Sequence, residues 1–335
     1  MALDVRVNIS LLKPIGFAGF GYPLILAAQI GAEANPVAYT ECTSLEEVEA
    51  AGFAQETDVY RAANLLFMQD NAPTKIAVCS TKSAAIAELP NLAGKGWRQL
   101  IVIDAKIEDY ATEIPTYIET TDKLYFATVA TAPTEAKNFS EYDRTIAFVY
   151  ASEDYGKLAV AAVVGATAGY VAGAITYKNM IIKGLTAQTF STTELAAMHE
   201  HGGFTIVEKV GDIVTSEGIV GSGEFVDIID CTDWVVQQLT YQTQKTMHKM
   251  PKVPFDNNGI GILEGVAINV LRTAYNNGMI ADNEDGTPAY AIDYALRSEC
   301  DAADIAARRY IGGKFSFVLK GAIHNVEING EISVA

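Results

Sequence analysis

Residues 202–235 read G-G-F-T-I-V-E-K-V-G-D-I-V-T-S-E-G-I-V-G-S-G-E-F-V-D-I-I-D-C-T-D-W-V. Within this stretch, residues 204–208 and 212–215 are rich in β-branched side chains and flank Val210-Gly211, a spacing that predicts a β-hairpin. Glycines then predict an irregular loop, at positions 218, 221 and 223. The stretch therefore predicts a strand pair followed by a glycine-rich turn.

Two long helices are predicted after this turn. The first runs from about Phe225 to Met247, and the second follows Asn257-Asn258-Gly259 and ends near Asn277-Gly278, where glycine is typical of a helix end. The whole stretch contains no arrangement of nucleophile, general base and oxyanion donor, so it favours a structural role over catalysis.

The first half of the chain alternates between helical and strand patterns. Short apolar runs separated by helical segments are typical of a largely parallel sheet covered on both faces. The predicted strands are 75–79, 99–103, 123–127 and 145–150, and the predicted helices between them include 58–69, 83–92 and 107–120. The predicted fold is therefore α/β, a mixed, largely parallel sheet flanked by helices, with a second α+β part.

Both ends of the chain have the period-two pattern of a strand. Val5, Val7 and Ile9 alternate with polar residues, and prolines and glycines over 14–23 predict a flexible connector behind them. At the other end, residues 314–319 and 321–328 alternate in the same way. Exposed strands at both ends favour pairing with another chain, whereas the alternative is an edge strand of the chain's own sheet.

The composition excludes some partners. Half of the residues are hydrophobic and 19% are charged, and the formal net charge of −17 argues against binding to nucleic acid or to an anionic membrane. The first residues lack the pattern of a signal peptide, which predicts a cytoplasmic chain. The four cysteines are far apart and are expected to be reduced structural thiols.

Residues 158–177 are uncharged and are long enough to cross a bilayer. They consist mainly of Ala, Gly and Val, which contribute little to membrane insertion. Gly165, Gly169 and Gly173 recur every fourth residue and would allow close backbone packing. A buried helix is the favoured interpretation, and a membrane span is the alternative.

Candidate chemical sites have simpler explanations. His199-Glu200-His201 lacks the H-E-x-x-H spacing of a zinc site and suits a helix end. Gly221-Ser222-Gly223 lacks the G-x-S-x-G spacing of a hydrolase nucleophile. The sequence contains neither the G-x-G-x-x-G turn of a dinucleotide-binding fold nor the G-x-x-x-x-G-K-[ST] loop of a P-loop protein. Asp227, Asp230 and Asp233 could attract a cation, but acids near a helix N-terminus need no ligand. No catalytic residue, cofactor or metal is therefore expected.

Lys and Arg outnumber Asp and Glu in a segment near the C-terminus. Residues 297–320 contain five cations and three acids, and Lys245, Lys249 and Lys252 add to them. Arg308, Arg309 and Lys314 are the candidate contact for an acidic protein partner, and scattered solvated charge is the alternative.

Several segments resemble contractile tail sheath proteins of bacteriophages and phage-tail-like particles. The similarity rests on five motifs in order: Ala62-Ala63-Asn64-Leu65-Leu66-Phe67-Met68-Gln69 leading to Lys75-Ile76-Ala77-Val78; Ala161-Ala162-Val163-Val164-Gly165; Thr215-Ser216-Glu217-Gly218 with Gly223 to Ile229 before Trp234; Lys252-Val253-Pro254-Phe255 with Gly259-Ile260; and Arg308 with Leu319-Lys320-Gly321-Ala322-Ile323-His324. The first half of the chain matches more loosely than the second.

The resemblance implies a division into an N-terminal strand arm with its linker (1–22), an α/β domain (23–178), a sheath-like domain (179–318) and a C-terminal strand arm (319–335). Arm residues would add strands to neighbouring subunits, through Val5, Val7, Ile9, Ala322, Ile323, Val326 and Ile328. Subunits would form hexameric rings stacked in a helical sleeve around a tail tube, between a baseplate and a terminator. Independently of the resemblance, we hypothesise that the basic residues Arg308, Arg309 and Lys314 contact an acidic tube.

The resemblance also implies that the sleeve contracts without nucleotide hydrolysis, that it drives the tube through a cell envelope, and that it assembles in the cytoplasm of a bacterial host. No nucleic acid and no direct membrane insertion are expected. The alternatives are an α/β enzyme that uses a nucleotide or a metal, and a structural protein that assembles without contracting.

Overall fold

A seven-stranded sheet forms the centre of the first part of the molecule. The computed structural model describes residues 20–31, 34–103, 111–129, 133–171 and 173–328. The strands are β1 (Tyr22–Ala27), β2 (Thr40–Cys42), β3 (Ile76–Ser80), β4 (Trp97–Ile103), β5 (Leu124–Val129), β6 (Thr145–Val149) and β7 (Gly203–Phe204). Their order is β2-β3-β1-β4-β5-β6-β7, and every neighbouring pair is parallel except β2–β3. The predicted mixed, largely parallel sheet is confirmed.

Helices cover both faces of this sheet, as its continuous apolar strands require. They are α1 (Leu45–Ala50), α2 (Asp58–Phe67), α3 (Ala85–Leu92), α4 (Glu113–Glu119), α5 (Val160–Thr167) and α6 (Thr192–Glu200). One core cluster joins one sheet face to α2 and α5, and a second joins the opposite face to α3, α4 and α6. Ser191 forms a capping box with Glu194 that fixes the start of α6.

The apolar stretch 158–177 is only partly helical. Helix α5 ends at Thr167, so the predicted single helix through residue 177 is wrong. A Cβ atom on Gly165 would collide with the backbone of Leu66, and one on Gly169 would collide with that of Asn71, so these glycines do allow close packing. Among the described residues, no helix has the length and apolar character needed to span a membrane.

Strand β1 lies in the middle of the sheet, between β3 and β4. The sequence pattern assigned Pro23 to a flexible connector, and this prediction is wrong. Proline cannot donate a ladder hydrogen bond, and the register of β1 against β4 shifts between Tyr22 and Leu24, at the position of the proline. The fully buried residues Leu24, Ile25 and Leu26 then hold the strand in the core.

The second part contains the predicted hairpin and both predicted helices. The hairpin consists of β8 (Ile206–Lys209) and β9 (Asp212–Thr215). Helices α7 (Val226–Lys249) and α8 (Asn257–Asn276) pack together, and a two-stranded antiparallel sheet, β10 (Tyr290–Tyr294) with β11 (Gly313–Phe317), covers their apolar side. The short helix α9 (Ala302–Ala306) lies between these two strands in the chain. The division at residues 178 and 179 stays a prediction.

The turn of the hairpin is strained at Val210. Its φ is +54°, that of Gly211 is +89°, and the Val210 side chain is fully exposed at 105%. A β-branched residue in the left-handed region costs about 1–2 kcal/mol, whereas asparagine is favoured there. Val210→Asn is expected to raise the free energy of unfolding by about 1 kcal/mol in urea denaturation. No gain, or a loss, would show that the valine carries no strain.

Candidate assembly site

The chain after β11 follows its own body for a few residues. Leu319 forms an antiparallel bridge with Ile280, and the Lys320 N–H donates to the Met279 carbonyl over 2.9 Å. The Lys320 ammonium also lies 3.2 Å from the Asp282 carboxylate. Residues 321–328 then form no regular secondary structure. The strand predicted over 321–328 is thus not formed within the described part of this chain, and its pairing with a neighbour stays a prediction.

Four predicted arm residues are exposed in this segment. Ile323 is 84% exposed, Val326 is 75% exposed and Ile328 is 88% exposed, and Ala322 is exposed as well. Burying apolar side chains is favourable, so side chains with this exposure indicate a surface that another molecule covers. The other three predicted arm residues, Val5, Val7 and Ile9, lie outside the described residues.

His324 interrupts this exposed run because its side chain turns back to the body. Its Nε2 atom lies 2.8 Å from the Thr176 hydroxyl, and its Nδ1 atom lies 3.4 Å from a Glu217 carboxylate oxygen. The imidazole also makes an edge-to-face contact with the Phe225 ring, and the two ring centroids are 4.8 Å apart. Lys178 holds the other Glu217 oxygen at 2.5 Å. None of these contacts was predicted from the sequence.

The β10–β11 sheet has two open edges. In the described part of the chain, these strands pair only with each other over 290–294 and 313–317. One face packs on the α7–α8 pair through alternating apolar residues, which include Tyr290, Ile292, Phe315 and Phe317. An isolated two-stranded sheet is only marginally stable, and an open edge can pair with another strand.

A buried charge network joins the first part of the molecule to helix α7. Arg98 lies 2.6 Å from Asp230 and 2.7 Å from Asp233, and Arg144 binds both Asp233 oxygens, over 2.7 and 2.8 Å. Arg98 also donates to the Asp122 carbonyl. All four charged side chains in this network are buried. The interpretation of Asp230 and Asp233 as acids that merely suit a helix N-terminus is therefore wrong.

The described chain begins beside the same network. The ring of Phe20 covers the Arg98 guanidinium at 4.5 Å, and Phe20 packs with the core cluster of α7 and α8. A guanidinium over an aromatic face is a favourable cation–π contact. Phe20, which lies two residues before β1, thus packs at the junction between the sheet and the second part.

The predicted tube-contact residues lie on α9's C-terminal side and on β11. Arg308, Arg309 and Lys314 are all exposed. Arg309 pairs with the buried Asp304 over 2.5 Å, and Lys314 lies directly opposite Asp293 in the β10–β11 register. Of the three cations, Arg309 is paired with an acid, whereas neither Arg308 nor Lys314 forms an ion pair with a described acid.

The other candidate residues are placed in structural positions. His199 shares a 2.9 Å hydrogen bond with the Ser216 hydroxyl, and burial lowers its pKa. The four cysteines are free, and burial raises the pKa of Cys79 and of Cys231 to about 12, which makes them poor nucleophiles. Within the described residues, no group of three or more His, Cys, Asp or Glu side chains could hold a metal ion.

The fold was compared with known proteins. No family model matches the sequence, and no curated protein matches it significantly. A solved structure of the PVC sheath complex of an extracellular contractile injection system, in the contracted state, is similar with a TM-score of 0.72 at 10% identity, over 100% of this chain and 98% of that one. The chain has the fold of a contractile-sheath subunit.

Two further structures share this sheath fold. A chain of the anti-feeding prophage baseplate is similar over 99% of both chains, with a TM-score of 0.73 at 12% identity. The sheath tail protein of Listeria innocua is similar over 90% of this chain and 96% of its own, with a TM-score of 0.60 at 10% identity. The likeness covers the α/β half as well, although its motifs resembled the family only loosely.

Proposed function

We propose that this protein is the structural subunit of a contractile tail sheath. The observation that carries the proposal is a sheath fold shared with injection-system subunits over nearly the whole of both chains. The exposed apolar segment after His324 supports it, because such a segment needs a covering surface. The four-part division, from the N-terminal arm to the C-terminal arm, is part of the proposal.

In this proposal the two terminal arms join neighbouring subunits. The C-terminal arm presents Val326 and Ile328, and the N-terminal arm presents Val5, Val7 and Ile9. One arm from each of two neighbouring subunits pairs with an open edge of the β10–β11 sheet. The result is a four-stranded sheet made from three subunits. Such pairing keeps subunits linked while they move, since backbone hydrogen bonds in the added strands persist.

The assembled form is a sleeve of hexameric rings around a tail tube, with a baseplate below and a terminator above. Contraction is a change from a metastable to a more stable packing of the same subunits, so no nucleotide is consumed. The subunit is assembled in a bacterial cytoplasm and works as part of a phage tail or a phage-tail-like particle. Catalysis has no part in this role.

Negative-stain microscopy of the purified full-length chain tests the proposal. Hollow striated cylinders are the expected result. Flat sheets or closed shells would instead identify a structural protein that assembles without contracting. For the remaining alternative, an α/β enzyme, a thermal-shift screen with nucleotides and divalent ions is decisive, because a true ligand raises the melting temperature by mass action.

The tube contact is proposed to involve Arg308, Arg309 and Lys314. Reversing all three to glutamate is expected to abolish assembly around tubes, because like charges would then face an acidic tube surface. The matched control reverses Lys95, Lys137 and Lys157, three exposed cations of the α/β part, and changes the net charge by the same amount. Sheaths of normal length on tubes, formed by the first variant, would rule out this contact.

A further inference from the structure

His324 marks the point at which the C-terminal segment stops following its own subunit. Before it, Leu319 and Lys320 are fixed by backbone hydrogen bonds or bridges to residues 279–280. Around it, the segment has no regular structure and its apolar side chains are exposed. The His324 side chain, by contrast, is only 13% exposed. The His324 side chain therefore holds to the body a segment whose apolar side chains are exposed.

The cradle for this imidazole is built from three separate parts of the chain. Thr176 lies after α5, Glu217 follows β9, and Phe225 immediately precedes α7. The Glu217 oxygen that faces the ring is buried and makes no hydrogen bond, so the imidazole at 3.4 Å is its polar neighbour. Lys178 pairs with the second Glu217 oxygen. A buried carboxylate oxygen that makes no hydrogen bond is stabilised by a nearby hydrogen-bond donor.

We propose that His324 is a latch that seats the C-terminal segment on its own subunit. With the latch closed, the part of the arm that can reach a neighbour begins at Asn325, rather than at residue 319, so Ala322 and Ile323 of the predicted arm stay on their own subunit. A fixed exit point restricts the directions that the arm can sample, and this lowers the entropic cost of adding it to a neighbouring sheet. The contribution to assembly rests on the proposed function, whereas the latch itself does not.

Limited trypsin digestion of the unassembled full-length protein tests the latch. Trypsin cleaves after Lys320, four residues before the latch, and the bond becomes accessible only when the flanking segment detaches. His324→Ala is expected to raise the rate of cleavage at Lys320 about tenfold, as the loss of a hydrogen bond and a ring contact allows more frequent opening. Cleavage after the exposed Arg308 in the same digest is the internal reference and is expected not to change.

Two further variants make the test specific. His248→Ala removes an exposed histidine of α7 and is expected to leave cleavage at Lys320 unchanged. Thr176→Val removes the hydroxyl and keeps the shape of the side chain, so it is expected to accelerate cleavage several-fold. Combined with His324→Ala, it should add little, because interacting residues are not additive. Full additivity, or an unchanged rate in His324→Ala, would overturn the latch.

Microscopy separates the latch from the proposed function. If the wild-type protein forms cylinders, His324→Ala is expected to form fewer and less regular ones. Regular cylinders in normal yield from a variant with tenfold faster cleavage would refute the role in assembly. If the wild-type protein never forms cylinders, the proposed function fails, and the digestion experiment still decides whether the latch exists.

Discussion

Asp233→Ala is expected to lower the free energy of unfolding by about 3–5 kcal/mol, because it removes one partner of a buried ionic network. Arg144 would lose both of its hydrogen bonds to the Asp233 carboxylate, and Arg98 would lose one of its two carboxylate partners. These guanidinium groups would stay buried, since they lie at the junction of the sheet and α7. Urea-induced unfolding, followed by circular dichroism, measures the loss.

Two control variants identify the cause. Asp282→Ala breaks the exposed pair with Lys320 and is expected to cost less than about 1 kcal/mol. Arg144→Met combined with Asp233→Leu removes both charges and is expected to recover much of the loss, because burying an unpaired charge costs more than losing a pair. A loss below about 1 kcal/mol for Asp233→Ala would contradict a stabilising role for the network.

The pH dependence of this network has a definite sign. Burial raises the pKa of Asp233, but the charges of Arg98 and Arg144 outweigh burial and hold that pKa below its ordinary value. A carboxylate with a lowered folded-state pKa stabilises the protein above its unfolded pKa of about 3.9, and this contribution is lost as the pH falls through the folded-state pKa. The stability difference between wild type and Asp233→Ala should therefore shrink below about pH 4.

The sequence predicted the elements whose signals are local. The Val210-Gly211 turn and the long helices α7 and α8 each depend on residues close together in the chain, and each is present. Strand β1 was missed because the proline and glycines near it are typical of a connector. Its position depends on neighbours β3 and β4, which come much later in the chain.

The buried network and the latch could not be predicted from local pattern, because their partners lie far apart in sequence. Arg98 and Asp230 are 132 residues apart, and Thr176 and His324 are 148 apart. A signal for the network did exist. Arg98 and Arg144 are single cations at the start of apolar strand segments, and a cation entering a sheet that is covered on both faces requires a buried acid. The acids Asp227, Asp230 and Asp233 were the candidates in the sequence for these buried partners.

Val326→Asp combined with Ile328→Asp is expected to abolish polymerisation into cylinders. A charge on these side chains would have to be buried against the neighbouring subunit, without a partner, at a cost that exceeds the contribution of the added strand. The subunit itself should be unaffected, because both residues are at least 75% exposed and exposed substitutions usually change stability by less than about 0.5 kcal/mol. Sedimentation and negative-stain microscopy measure polymerisation, and urea denaturation verifies the fold.

The alternation of the segment supplies the matched control. In an added strand, Val326 and Ile328 point to the same side, and Asn325 points to the other. Asn325→Asp introduces the same charged side chain one residue away and is expected to leave cylinder formation close to normal. If both variants abolish polymerisation, the arm does not add as a two-faced strand. If the double variant polymerises like the wild type, these residues do not join neighbouring subunits, and the strand-exchange mechanism loses its C-terminal half.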